Sequence, residues 1–204
     1  IIHRGTHQIG GSAIEISTKS TRIILDFGNE LSLDEKYIPI NLDIDGVTKG
    51  MPDCDGIVIS HYHIDHLGQL TSALPEIPLY MGKLSKEVAM IATEHQDKDL
   101  YLRLLGANTF RGGEAFTIGN IHIRPLVIDH SAVDSYMFVI EAEGKRVLYT
   151  GDFRMHGLRS HIVEKLVKTY IGEVDVLITE GTSLSRNAHD GISEREVLDD
   201  ISSY

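Results

Sequence analysis

The sequence predicts an α/β or α+β fold in which sheets pack together and helices cover them. Two observations support this prediction. Short apolar runs bounded by turn residues recur along the chain, as in strands, and amphipathic segments with helical spacing separate them. Because each sheet must bury its apolar faces, strand groups interleaved with helices are expected to form stacked layers.

The predicted strands are short and mostly apolar. Residues 55–60, Asp-Gly-Ile-Val-Ile-Ser, form a compact apolar run that is typical of a strand covered on both faces. The other predicted strands contain Ile14 and Ile16 or cover residues 22–26, 135–142, 145–150 and 174–179, with a two-residue hairpin at Gly119-Asn120 and a turn at Glu143-Gly144.

Two segments between these strands predict helices. The first covers residues 84–105, where apolar residues recur at helical spacing, and Gly106 is expected to end it. The second begins with Ser160 as its cap and ends at Gly172. The apolar face of this second helix is predicted to consist of Ile162, Leu166 and Tyr170.

The composition indicates a soluble globular protein. Of the 204 residues, 42% are hydrophobic and 24% are charged, and no apolar stretch approaches the ~20 residues that span a bilayer. Cys54 is the single cysteine and no secretory signal is visible, so a cytoplasmic location without membrane contact is expected. The formal net charge of −11 argues mildly against a general nucleic-acid binder, although bound dications would change the local field.

A histidine cluster follows the predicted strand at residues 55–60. In an extended segment, residues two apart lie on the same side, about 6.6 Å apart, so His61 and His63 can bind one metal ion. The chain then turns, and Asp65 and His66 can face a second ion. Imidazole nitrogen and carboxylate oxygen suit Zn²⁺, and also Mn²⁺ or Fe. Three histidines and an aspartate within such a short segment therefore predict a metal site.

Two further ligand candidates lie at predicted strand ends. His130 follows the apolar run 126–128, and Asp152 follows residues 147–151. Binding sites are commonly assembled from loops at one edge of a sheet. We therefore expect His130 and Asp152 to join the histidine cluster.

The full pattern resembles the metallo-β-lactamase superfamily. His-x-His-x-Asp-His, a histidine after a later strand and Gly-Asp after another match the motifs of that family from about residue 9 to residue 180. The resemblance implies a four-layer αββα sandwich, incomplete at the C-terminus, and two divalent metal ions, with Zn expected first. By resemblance, the first ion is held by His61, His63 and His130 and the second by Asp65 and His66, with Asp152 bridging the two ions and Asp26 supporting the site.

Two adjacent dications imply a hydrolytic mechanism. A water that bridges them loses a proton near neutral pH, and the resulting hydroxide can attack an ester, amide or phosphodiester centre. Asp65 is expected to be catalytic as well as a ligand, because it can orient this water or accept its proton.

Details beyond the ligand set favour the β-CASP nuclease branch of the superfamily, in particular ribonuclease J. His63 stands where the oxygen-reducing diiron branch has Glu, and residues 130–136 are similar to the corresponding segment of ribonuclease J. Glu180, within Ile-Thr-Glu-Gly-Thr-Ser, resembles the first β-CASP signature and is predicted to be catalytic. The implied activity is cleavage of RNA phosphodiester bonds, with DNA not excluded as a substrate. The candidate phosphate contacts are Arg154, His156 and Arg159, for which a solvated loop is an equally good interpretation.

The same resemblance predicts the domain organisation. Residues 1–182 would be the N-terminal portion of the catalytic domain, and residues 183–204 would begin a following β-CASP-like domain. Ser193 and Glu196 predict a capping box at the start of a helix in that second segment. β-CASP enzymes take one more ligand histidine from beyond an inserted domain, and the surroundings of His189, the last histidine, do not resemble it.

Other functions remain open at this point. A thioester or lactone hydrolase of the same fold would need no β-CASP insert. A non-catalytic scaffold subunit would be free to lose ligands that this sequence retains. A ribonuclease Z-like tRNA processor fits the surroundings of Glu180 less well.

Overall fold

The first half of the chain forms a six-stranded sheet. The computed structural model of the protein describes residues 1–32, 40–184 and 191–204. The strands of the first sheet follow one another in sequence order: β1 (Ile2–Arg4), β2 (Ala13–Ser17), β3 (Arg22–Leu25), β4 (Gly56–Ile59), β5 (Leu79–Gly82) and β6 (Asn108–Phe110). β1 to β3 are antiparallel, and β3 to β6 are parallel. The carboxyl ends of β3 and β4 therefore lie at the same edge.

The second sheet has the order β11-β10-β9-β8-β7. Its strands are β7 (Phe116–Ile118), β8 (Ile121–Val127), β9 (Tyr136–Ala142), β10 (Lys145–Tyr149) and β11 (Val176–Ile178). The predicted hairpin at Gly119-Asn120 is confirmed by antiparallel pairing of Ile118 with Ile121. The predicted turn at Glu143-Gly144 is also confirmed, because both residues have positive φ, as a two-residue hairpin turn requires.

Helices flank the two sheets. They are α1 (Ile64–Leu67), α2 (Lys83–Thr93), α3 (Lys98–Leu105), α4 (Ser160–Leu166), which continues as a π-helical turn (Val167–Ile171), and α5 (Glu194–Ser202). The predicted capping box is present at the start of α5, between Ser193 and Glu196. Among the described residues, no helix has the length and apolar character needed to cross a membrane.

The prediction of a single helix over residues 84–105 is wrong. The segment is two helices, α2 and α3, because Asp97 accepts a hydrogen bond from the backbone N–H of Leu100 at 3.0 Å and starts a new helix. An aspartate side chain satisfies a backbone donor at a helix start, so this polar residue sets the boundary.

The details predicted for the second helix also need correction. Ser160 is the first helical residue, and Arg159 precedes it without a side-chain cap. The helix does end at Gly172, as predicted. Tyr170 is exposed, whereas Ile171 is buried, because the π-helical turn contains one extra residue and shifts the buried face along the chain.

Three apolar clusters define four layers. The first cluster lies between the first sheet and the pair α2 and α3, and includes Ile24, Ile57 and Leu104. The second lies between the two sheets and includes Ile23, Val58, Ile121 and Phe138. The third lies between the second sheet and α4, and includes Val139, Leu148 and Val163. The predicted αββα sandwich is confirmed, and burial of each such side chain contributes about 1.5–3 kcal/mol.

Candidate metal centre

Three histidines direct nitrogen atoms to one point at the edge of the sandwich. His61 and His63 lie between β4 and α1, and His130 lies between β8 and β9. The His61 Nε2 to His63 Nδ1 distance is 3.1 Å, and the His130 Nε2 to His63 Nδ1 distance is 3.2 Å. Two nitrogen ligands on one tetrahedral Zn²⁺ lie about 3.3 Å apart. The spacing of these three side chains therefore fits a common metal ion.

A second group of ligand atoms adjoins the first. His66 Nε2 lies 3.3 Å from Asp152 Oδ1, and His130 Nε2 lies 3.9 Å from Asp152 Oδ2. His61, His66 and Asp152 bring ligand atoms within 4.8 Å of one another. The two oxygens of Asp152 thus face both groups, which is the arrangement that a bridging carboxylate needs.

Asp65 lies beside these groups. Its Oδ2 is 3.6 Å from His66 Nε2, but in the described part of the chain Asp65 is not a member of either set of converging ligand atoms. Burial raises the pKa of the Asp65 carboxyl above its ordinary value, with Asp152 adding to this effect. The position of Asp65 is that of a side chain bordering the second group.

Asp26 hydrogen-bonds residues of the site, in keeping with the supporting role that the sequence predicts. It is fully buried and has a φ of 54°, a left-handed conformation that Asp tolerates better than most residues. Its carboxylate accepts hydrogen bonds from Ser60 N at 2.7 Å, Ser60 Oγ at 2.7 Å, His66 Nδ1 at 2.7 Å and the Tyr149 hydroxyl at 2.5 Å. Asp26 thereby ties β3, β4, α1 and β10 together.

Ser60 orients His61, a role that the sequence analysis did not identify. The Ser60 hydroxyl donates to Asp26, so its oxygen accepts from His61 Nδ1 at 3.0 Å. His61 Nε2 then carries a free lone pair and faces the ligand group. His66 is oriented in the same way, because Nδ1 donates to Asp26. Such carboxylate and hydroxyl partners of histidine ligands fix the ring tautomer.

Burial keeps most of these imidazoles neutral. Burial, together with repulsion from neighbouring histidines, holds the pKa of His61 well below 6.5. Burial likewise lowers the pKa of His63 and lowers that of His130 to about 4. Neutral imidazole is the form that binds a metal ion. These three side chains are therefore ready to act as ligands at neutral pH.

His66 behaves differently from the other three histidines. Burial alone would lower the pKa of His66, but Asp26 and Asp152 raise it well above 6.5. The pKa of Asp152 is lowered in turn, since the hydrogen bond and charge of His66 outweigh burial. The two carboxylates thus favour a positive charge at this position, and a divalent ion would supply one. The donor set as a whole fits divalent metal ions such as Zn²⁺.

Backbone contacts hold the short helix α1 against β2 and β3. Ser12 N donates to Asp65 O at 3.1 Å, and Phe27 N donates to His66 O at 2.7 Å. Gly28 packs so closely that a Cβ on it would lie 1.6 Å from Asp65 O. A glycine is required at this position because no side chain fits there.

A groove of about 590 Å³ opens next to the second ligand group. Asp65, His66 and Asp152 lie on one side, and residues 178–182 lie on another. Glu180 borders the groove, and its carboxylate accepts from Phe153 N at 3.0 Å and Thr182 N at 3.3 Å. Glu180 thus holds the backbone directly after Asp152, and its predicted catalytic role stays a prediction.

The candidate phosphate contacts lie in the loop after Asp152. Arg154 is already paired with two carboxylates, Asp129 at 3.0 Å and Glu194 at 2.6 Å. His156 and Arg159 are exposed, and phosphate binding by them stays a prediction. His189 lies outside the described residues.

The fold and the ligand geometry define a metallo-β-lactamase-type domain. The beta-lactamase superfamily domain matches residues 23–196, and the chain belongs to that superfamily.

Several curated relatives bear the names of ribonucleases. The chain is 27% identical to an RNase J-like protein of Methanocaldococcus jannaschii, covering 98% of this chain and 47% of the relative. It is 28% identical to the endoribonuclease ysh-1 of Neurospora crassa, covering 87% of this chain and 23% of the relative. For a ribonuclease J of Helicobacter pylori the identity is 25%, with 74% of this chain and 22% of the relative covered. The chain therefore spans about half or less of the length of these relatives, and the predicted resemblance to ribonuclease J is confirmed.

Solved structures of other proteins share the fold. A protein of unknown function from Enterococcus faecalis V583 superposes with a TM-score of 0.82 at 21% identity, covering 98% of this chain and 55% of that one. Zn²⁺-bound PqqB from Methylobacterium extorquens superposes with a TM-score of 0.54 at 14% identity, covering 83% of this chain and 60% of that one. At these identities the likeness concerns the fold alone.

Proposed function

We propose that the chain is the metal-binding portion of a ribonuclease J-like β-CASP nuclease that cleaves RNA phosphodiester bonds with two divalent ions, Zn²⁺ being expected first and Mn²⁺ or Fe as alternatives. The observation that carries this proposal is the convergence of two ligand groups on Asp152. The ribonuclease names of the curated relatives support RNA as the substrate.

The distances between ligand atoms support an assignment of the residues to two metal ions. The first ion would be held by His61, His63 and His130, the second by His66, and both by Asp152. Asp65, which lies outside both converging sets but only 3.6 Å from His66 Nε2, would join the second ion as the family resemblance implies. When bound, two such ions supply an activated water as nucleophile and positive charge for the developing oxyanion. Asp65 Oδ2, beside His66 on the side of the groove, would orient this water or accept its proton.

A specific observation favours a second candidate, a thioester or lactone hydrolase. Among the described residues that line the groove, the one Lys or Arg is Arg4, and its guanidinium donates to the carbonyl oxygens of Gly28 and Ile40. RNA binding depends on cations that contact phosphates. The nuclease proposal therefore relies on the metal ions, or on residues of a longer protein, for attraction of RNA.

The domain boundary and the cellular location belong to the same proposal. We place the catalytic portion at residues 1–182 and the start of a following domain at residues 183–204. α5 has no buried residue, which supports its assignment to a separate unit. We also propose a cytoplasmic location, because the proposed substrate, RNA, is present in the cytoplasm.

The deciding experiment compares substrates on one preparation. Purified protein loaded with Zn²⁺ or Mn²⁺ would be incubated with a single-stranded RNA, a DNA of the same sequence, a thioester and a lactone. Asp152→Ala provides the inactive control. Cleavage of RNA that Asp152→Ala abolishes supports the nuclease, whereas hydrolysis of the ester substrates alone supports the second candidate. A metal-loaded protein that cleaves none of them contradicts hydrolysis by this portion on its own.

A further inference from the structure

Arg154 connects three separate parts of the chain. Its Nε lies 3.0 Å from Asp129 Oδ1, and its Nη1 lies 2.6 Å from Glu194 Oε1. Its backbone N–H also donates to Asp129 O at 2.9 Å. Asp129 directly precedes His130, Arg154 lies two residues after Asp152, and Glu194 begins α5. One guanidinium therefore links both ligand-bearing loops to α5.

The Asp129 side of this link is buried. Asp129 is 3% exposed, and its second oxygen, Oδ2, accepts from Arg159 N at 2.7 Å. Gly157 passes close by, since a Cβ on it would lie 2.4 Å from Asp129 Oδ2. Removing a partner from a buried ion pair leaves an uncompensated charge, which is strongly unfavourable. Asp129 therefore holds the loop 154–159 firmly against the loop of His130.

The Glu194 side of the link is half-exposed and makes backbone contacts of its own. Glu194 Oε2 accepts from Leu158 N at 3.0 Å, and Glu194 N donates to His156 O at 2.9 Å. The first residue of α5 is thus fastened to the loop after Asp152 at both its backbone and its carboxylate.

We infer that Arg154 and Glu194 are positioning residues of the metal centre. Together with Asp129 they form a clamp that keeps His130 Nε2 and Asp152 Oδ2 at 3.9 Å, the separation at which both can serve the same pair of ions. The inference rests on the proposed metal-binding function. It also assigns a contribution to the centre to the segment that contains α5.

The clamp explains why Arg154 is poorly suited to bind a phosphate. The guanidinium already uses Nε and Nη1 for two carboxylates, and a phosphate would compete with both. A planar fork that meets two carboxylates at fixed angles is a property of Arg that Lys does not share. Arg154→Lys therefore keeps the charge but breaks the clamp.

The test measures zinc affinity, by chelator competition, together with the Tm of the metal-free protein. Glu194→Gln removes the outer charge with little change of shape. We expect zinc affinity to fall about tenfold, the lower end of the effect of direct hydrogen-bond partners of metal ligands, because Glu194 acts through Arg154. The Tm of the metal-free protein should stay unchanged. Arg154→Lys should lower zinc affinity to a similar extent, and the double variant should bind zinc no more weakly than Arg154→Lys alone. The Tm criterion applies to Glu194→Gln, because Arg154→Lys also disturbs the pair with buried Asp129. Glu141→Gln is the matched control, because Glu141 pairs with Arg146 at the same 2.6 Å, but between two strands of the second sheet and away from the centre.

Three results would overturn the inference. Wild-type zinc affinity in both Glu194→Gln and Arg154→Lys would show that the clamp does not act on the centre, and would leave the proposed function intact. The Tm of the metal-free Glu194→Gln protein could fall, and this loss of stability could account for its weaker zinc binding. The clamp would then stabilise the fold in general and would not position the ligands. Weaker RNA binding in Arg154→Lys, at unchanged zinc affinity, would make Arg154 a phosphate contact, since Lys keeps the charge but loses the planar fork. A wild-type protein that binds no zinc or other dication would instead refute the proposed function itself.

Discussion

Asp26 shows how much one side chain contributes to this centre. Its buried carboxylate accepts from Ser60, His66 and Tyr149, so it sets the orientation of two histidines from one position. The left-handed backbone at Asp26, with φ of 54°, brings the carboxylate under the site. The chemistry of such a centre depends on which of its side chains carry protons.

Asp65→Asn should reduce turnover far more than substrate binding. The substitution keeps the size of the side chain but removes its capacity to accept a proton, and loss of such a group lowers kcat by about 10²–10⁴-fold. Steady-state kinetics at a verified metal content would measure the effect. Asp99→Asn, an exposed acid in α3, is the control, and an unchanged kcat in Asp65→Asn would remove Asp65 from the mechanism.

Cys54 should react slowly with iodoacetamide in the folded protein. Burial raises the pKa of its thiol from 9.0 to about 11, so at pH 8 the thiolate is on the order of 100-fold scarcer than in unfolded protein. The labelling rate should rise about tenfold per pH unit up to pH 10. Because the folded pKa is the higher one, Cys54 stabilises the fold below pH 9 and this contribution is lost as the pH rises towards 11. Equal labelling rates with and without urea would contradict the assignment of a partly buried thiol.

At the scale of elements, α1 is a single turn of helix that presents Asp65 and His66. A helix this short has little stability of its own. Its position comes from backbone hydrogen bonds to Ser12, Phe27 and Asn29 and from the close approach of Gly28. The loop after β3 is therefore as much a part of the centre as the histidine motif.

Gly28→Ala should destabilise the protein and displace α1. The new Cβ would lie 1.6 Å from Asp65 O, and such a clash with backbone atoms requires movement that costs about 3 kcal/mol or more. Denaturant unfolding and zinc affinity would both report the change. Gly106→Ala is the matched control, since its Cβ would meet its nearest neighbour at 3.8 Å. Equal stability of the two variants would show that α1 is not held by this contact.

At the scale of the whole molecule, the metal centre lies where the two sheets meet. His61, His63 and His66 follow β4 of the first sheet, whereas His130 and Asp152 follow β8 and β10 of the second. Bound ions would therefore join the two halves of the sandwich. Their binding free energy then contributes to folding, because the unfolded chain lacks the assembled site.

Removal of metal should lower the Tm. With free metal at a hundredfold excess over its Kd, binding adds about 2.7 kcal/mol to stability, which corresponds to roughly 5–10 °C for a domain of this size. Differential scanning calorimetry with and without EDTA would measure the shift. His61→Ala should lose metal and, with it, most of the EDTA effect. Retention of full metal content by His61→Ala would show that the ligand assignment is wrong.

The sequence by itself determined the class of the protein and the candidate ligands. The spacing of His61, His63, Asp65 and His66 is local, and a strand followed by a turn was enough to predict that these residues face metal ions. Alternating apolar residues likewise predicted the strands and the layered fold. Such features depend on neighbours along the chain, so they can be read without the structure.

Only the tertiary structure decided which side chains support the ligands. Tyr149 and Asp26 are 123 residues apart in sequence, and Ser60 gave no signal that distinguished it from other serines. In the sequence, Arg154 was a candidate phosphate contact. In the structure it is paired with Asp129, which follows β8, and with Glu194, which begins α5. The π-helical turn that buries Ile171 in place of Tyr170 is another such case. These outcomes depend on packing between distant segments, which local patterns of polar and apolar residues do not encode.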